Sequence, residues 1–168
     1  MIYIIISALL FVLLVIQNIL ADVLFLGRSP LEISLIVVIY MAFRLSFIKG
    51  ALLSAWVGFV MDCITGTVAG AYVFIYYAVF SGSYFISRHL YGEKDGFIVT
   101  LVLLWGIVEG IILFGLKSLQ TGEFAFFSFL PFLILKIVPL GVLGPFLFHI
   151  FDKLGFSYGF NERATKRP

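Results

Sequence analysis

The chain has one cysteine, Cys63, in 168 residues. That excludes an internal disulfide and a cysteine-built metal site. Charge is scarce too. Charged residues make up 12% of the chain, against about 25% in a soluble globular domain. The net charge of +2 is too small to imply a nucleic-acid partner. Only two histidines occur, His89 and His149, and nothing in the sequence places either beside a nucleophile. H-E-x-x-H, G-x-S-x-G and phosphate-binding glycine loops are all missing. The residues therefore read as those of a protein that is not an enzyme, with no metal or cofactor called for.

What the chain does have is apolar length. Hydrophobic residues make up 62% of it, and the mean hydropathy is +1.17. A chain of 168 residues has room for five to seven spans of about 20 residues each. The sequence predicts an all-α, polytopic integral membrane protein with about six transmembrane helices. They form one domain over 1–151, followed by a cytoplasmic polar tail over 152–168.

The predicted spans lie at about 2–20, 30–44, 49–64, 70–87, 97–116 and 124–151. The first has no basic leader, and its apolar run is longer than that of a cleavable signal, so it reads as a retained span. Gln17, Asn18 and Asp22 mark its wet end. Pro30 opens the second span, and Glu32 is expected in that helix's first turn, where the dipole favours an acid. The second span either continues past Arg44, whose stem can snorkel, or stops short of a full crossing. Pro131, Pro139 and Pro145 predict a kink in the last span or an interfacial piece before it.

Basic residues orient these spans. With a cytoplasmic N-terminus, Arg44, Lys49, Arg88, Lys94, Lys153, Arg163, Lys166 and Arg167 fall on the cytoplasmic side, and only Arg28 and Lys117 fall opposite. This positive-inside bias places both termini in the cytoplasm, and an even number of spans agrees with it. The same basic side can touch anionic membrane lipid.

Three ionisable residues fall within or at the edge of apolar spans. Asp62 lies near the outer end of the third, at the wrong end of its helix dipole. It reads either as an interfacial acid solvated by headgroups or as an internal polar anchor, with Arg28 and Lys117 available to compensate it. Glu109 lies deeper, about 10 Å from the outer end of the fifth span at 1.5 Å per residue. Lys136, on the antiparallel sixth span, falls at a comparable depth. The two read either as an intramembrane pair or as separate groups, each snorkelling or, for Glu109, protonated. Small residues at four-residue spacing, among them Ser54 and Gly58, Gly66 and Gly70, and Gly106 and Gly110, allow close helix approach. That approach serves internal packing or, less directly, a dimer seam. Gly66 and Gly70 straddle a chain reversal.

These features together resemble the rod shape-determining protein MreD family. The resemblance rests on Gln17-Asn18 closing the first span, Pro30-Leu-Glu-Ile entering the second, then Arg44, Gly50, and Gly58-Phe-Val-Met-Asp62 followed by Gly66 and Gly70. Ser46-Phe47 and Cys63 depart from the family's pattern. The resemblance implies a bacterial inner-membrane scaffold or regulator of cell-wall elongation, without catalysis of its own. Its implied partners are MreC directly, and RodA, the elongation transpeptidase and MreB through the complex. It also implies a fold like the substrate-binding component of energy-coupling-factor transporters, and such a small-molecule-binding subunit is the alternative function. Asp62, Gly58, Gly66, Gly70, Arg44, Glu109 and Lys136 are the candidate structural and partner-interaction residues.

Overall fold

The computed structural model describes residues 10–19, 32–66, 70–89, 95–121 and 126–153. All of the regular structure among them is helical. α1 is described from Leu10 to Ile19. It is followed by α2 (Ile33–Arg44), α3 (Phe47–Thr65), α4 (Ala71–His89), α5 (Asp95–Thr121) and α6 (Phe126–Lys153). The predicted tail lies outside the described residues beyond Lys153.

α2 is the axis of the molecule. Every residue from Ser34 to Ala42 is buried, so the helix is apolar all round because it is enclosed all round. It packs against α3, α4, α5 and α6. At 12 residues it is about 18 Å long, shorter than a hydrocarbon core of about 30 Å. The helix therefore stops at Arg44, which sits in its last turn at the negative end of the dipole. Leu45 turns to extended backbone, and α3 begins at once at Phe47, earlier than the sequence indicates.

α3 and α4 form a close antiparallel hairpin. α4 buries Tyr72, Ile75, Tyr76, Val79, Phe80, Ser83 and Tyr84, a stripe at helical spacing. A Cβ on Gly58 would lie 2.6 Å from the Val73 Cα and 2.7 Å from the Tyr72 carbonyl oxygen. Backbone meets backbone there, which is the use expected of a small residue. At Gly50 the obstacle is the Phe80 ring instead. Phe47 continues this contact, 5.2 Å from the Tyr84 ring. α5 and α6 form the second hairpin, where a Cβ on Gly141 would meet the Leu103 side chain and one on Gly144 would meet Val102. α6 runs as one helix of 28 residues, so its three prolines do not divide it and it has no separate interfacial piece over these residues. Tyr40 of α2 lies edge-on to Phe148 of α6 at 5.2 Å.

The outward faces are apolar as well. Ile48, Leu52, Trp56 and Phe59 form an exposed ridge along α3, and Phe74, Tyr77 and Phe85 do so along α4. Two stretches, Phe47–Thr65 and Gly96–Leu116, are long and apolar enough to cross a membrane, while Leu10–Ile19, Ile33–Arg44 and Lys136–Phe151 are apolar but shorter.

Gly58→Ala should force α3 and α4 apart and cost about 1–3 kcal/mol. Gly96→Ala meets nothing within 4 Å and should leave the unfolding midpoint unchanged or raised. Thermal unfolding of the two variants side by side checks this.

Candidate functional site

The deepest polar feature is built from three helices. Glu32 sits at the N-cap position of α2 and makes no capping hydrogen bond with its own side chain. It stands at the positive end of the α2 dipole, where an acid is expected, but its side chain does not cap the helix. Its carboxylate reaches Lys136 of α6, with Lys136 Nζ 2.5 Å from Glu32 Oε2. Lys136 Nζ also donates to Glu109 Oε2 of α5 at 3.2 Å. The contact with Glu32 is an ion pair whose alignment falls short of a hydrogen bond. The side chains of Lys136 and Glu109 are 3% and 0% exposed, so the chain's own helices exclude solvent from the cluster.

Glu109 and Lys136 thus come together as antiparallel neighbours of matched depth. Glu32 makes the pair a triad and ties α2 to the α5–α6 hairpin. A desolvated charge is tolerated only when paired and hydrogen-bonded, and one ammonium here faces two carboxyl groups. Gly106, one turn before Glu109, stands beside Leu140 and Leu35, with a notional Cβ at ordinary contact distance from each. It therefore marks where α5, α6 and α2 converge.

Beside the triad runs a neutral link. Gln17 of α1 is 3% exposed, so it is an interior residue and not the wet end of its span. Its Oε1 accepts the backbone N–H of Ser34 at 3.0 Å. Ser34 is the second residue of α2, and its N–H is one of those that no helical carbonyl can reach. Gln17 thereby does the capping that Glu32 leaves undone. The Ser34 hydroxyl shares a 2.7 Å hydrogen bond with the Tyr76 hydroxyl of α4. Asn18 turns back to the Leu14 carbonyl at 3.0 Å. The clue available in the sequence was that Gln17 lies one short loop from the start of α2. Its inward rotation was not legible.

Asp62 is the second site. Its Oδ1 accepts the Tyr72 N–H at 3.0 Å, and its Oδ2 accepts the N–H groups of Gly70 at 3.1 Å and Val73 at 3.3 Å. These are free N–H groups at the start of α4, where the dipole is positive. A carboxylate from the preceding helix therefore caps the next one, so the half-buried Asp62 serves as a polar anchor between α3 and α4. Its compensation is the α4 terminus; Arg28 and the Lys117 side chain lie outside the described residues. The turn that permits this needs two left-handed residues, supplied by Gly66 at φ 59° and Gly70 at φ 89°. The Gly66 N–H closes α3 on the Asp62 carbonyl at 3.2 Å, and the Thr65 hydroxyl bonds the Met61 carbonyl at 2.7 Å. Gly58 lies one turn further back, against the same end of α4. Asp62, Gly58, Gly66 and Gly70 thus form one structural unit. Arg44 stands apart from it, at the end of α2.

Cys63 is exposed beside this turn. Among the described residues, no group of three or more His, Cys, Asp or Glu is placed to hold a metal ion. No protein-family model matches the chain, and neither does any curated protein or solved structure.

Lys136→Met should be the most damaging single change, because it strands two buried acids; a loss of about 3–5 kcal/mol is expected in denaturant unfolding. Asp62→Ala should cost about 1–2 kcal/mol, with amide exchange at Gly70, Tyr72 and Val73 accelerating before the rest of α4. Asp62→Asn, which keeps one oxygen acceptor, should fall between Asp62→Ala and the unmodified chain.

Proposed function

We propose that this chain is an integral protein of the bacterial inner membrane that crosses six times and acts as a non-catalytic scaffold of the cell-wall elongation machinery, as a member of the MreD family would. The observation that carries the reading is the use made of its acids. Glu32, Asp62 and Glu109 all engage groups of the chain's own helices. Charges spent on fixing helix against helix are what a shape-presenting protein needs.

The outer surfaces support the membrane part of the proposal. Phe47–Thr65 and Gly96–Leu116 have the length and composition to cross. The exposed residues of α3, α4, α5 and α6 include Leu52, Phe74, Ile111 and Val142, which suit lipid tails or partner spans. The short α2 is compatible with this solution. Its ends are enclosed by other helices, and irregular backbone is tolerated at membrane depth where protein covers it. Leu45, just past its end, is 3% exposed.

MreC is the proposed direct partner, with RodA, the transpeptidase and MreB joined through the complex. The junction of α3 and α4 is the proposed recognition element, because Asp62 ties the end of α3 to the start of α4. Asp62→Ala should accumulate in membranes close to the unmodified level while recovery of MreC in a detergent pull-down falls several-fold. Recovery of MreC at the unmodified level by a normally accumulating variant would sink the proposal.

A further inference from the structure

We propose that the cluster of Glu32, Glu109 and Lys136 is a proton-binding site, with one proton held between the two carboxyl groups so that the buried triad is electrically neutral.

The argument starts from charge. Two carboxylates and one ammonium leave one negative charge uncompensated in an interior where Glu109 is 0% exposed and Lys136 is 2% exposed. A lone buried charge is far costlier than a neutral acid, and the usual outcome is that a proton is taken up. Among the described residues, the groups that face the cluster supply no second cation. α4 contributes the phenols of Tyr72 and Tyr76, which sense Glu32 and Glu109. Asp62 of α3, which adds negative charge near Tyr72, is already occupied at the α4 terminus. α1 contributes the neutral Gln17, whose oxygen accepts from Ser34.

Hydrogen bonding leads to the same conclusion independently. Glu109 Oε1 is buried with no donor, and Glu32 Oε2 has only the misaligned ammonium. The carboxyl groups of Glu32 and Glu109 also converge, since an oxygen of each lies within 3.2 Å of the same ammonium. Two carboxylates meeting in this way are acceptors only, and neither can donate to the other. One added proton converts that repulsion into an O–H···O⁻ hydrogen bond, which is short and strong. The same proton removes the excess charge. Lys136 then compensates the one charge shared by the pair. The ligand is the proton itself, and it is part of the folded structure and not a reactant.

This assignment is independent of the cell-wall reading and gives a distinctive pattern. A glutamine in place of either acid supplies the missing donor in neutral form, so Glu32→Gln and Glu109→Gln should each keep the unfolding midpoint of the unmodified chain. The double variant strands Lys136 and should lower the midpoint as Lys136→Met does. Infrared spectra of the full chain in detergent micelles at neutral pH should contain a protonated-carboxyl band that resists exchange with heavy water. That band should be lost in each single variant. Absence of the band from the unmodified chain overturns the proposal without recourse to any variant. So does a single glutamine variant that unfolds as easily as Lys136→Met or fails to fold.

Discussion

Lys136 lies where three helices that are distant in sequence must agree. Its ammonium meets Glu32 at the entrance to α2 and Glu109 in the middle of α5, and α6 carries it there. In an interior this apolar, side-chain packing alone leaves helices free to rotate or slide past one another at modest cost, because one aliphatic contact replaces another. A buried ammonium has no such freedom. Moving any of the three helices by part of a turn would strand a charge without a partner, and the penalty for that exceeds what several methylene contacts return. The depth and rotation of α2 relative to the α5–α6 hairpin are therefore set by electrostatics, and the buried Leu35 and Leu140 meet beside Gly106, one turn from Glu109.

The other half of the molecule is fixed by the same economy of polar groups. Helix ends present N–H groups that need acceptors. Here the acceptors come from neighbouring helices: Gln17 of α1 for α2, and Asp62 of α3 for α4. Each cap doubles as a tether. α4 is joined to α3 through Asp62 and to α2 through the Tyr76–Ser34 hydroxyl pair, so the tethers and the triad together span all six helices. The described helices, held in this way, turn apolar residues such as Leu52, Phe74, Ile111 and Val142 outward.

Some of this was legible residue by residue. Glu109 and Lys136 could be matched because antiparallel neighbours of similar length bring equal depths together, and depth follows from counting residues along a helix. Gly66 and Gly70 could be read because a tight reversal needs left-handed backbone, a demand local to the turn. Gly58 was readable as a site of close approach, although α4 as the neighbour was not. Glu32 was read only in part: it does stand at a helix start, which gave a sufficient local reason for an acid, and nothing nearby in sequence disclosed Lys136. Gln17 was assigned to the wet end of its span because glutamine is usually solvated, while its burial depends on which way α1 is rotated. The charge partner of Asp62 was sought among basic side chains. It proved to be a helix terminus, which no residue type announces.

By itself the sequence determined that the chain is helical and strongly apolar, where its chain reversals lie, and that its few interior ionisable groups must be compensated. Those are consequences of composition, local backbone preference and desolvation, which act on each segment wherever it ends up. Which groups compensate one another, and that α2 is enclosed as the central helix, was decided only when the helices packed. Partner choice depends on the relative rotation and depth of segments far apart in the chain, and those are fixed jointly by all the contacts at once.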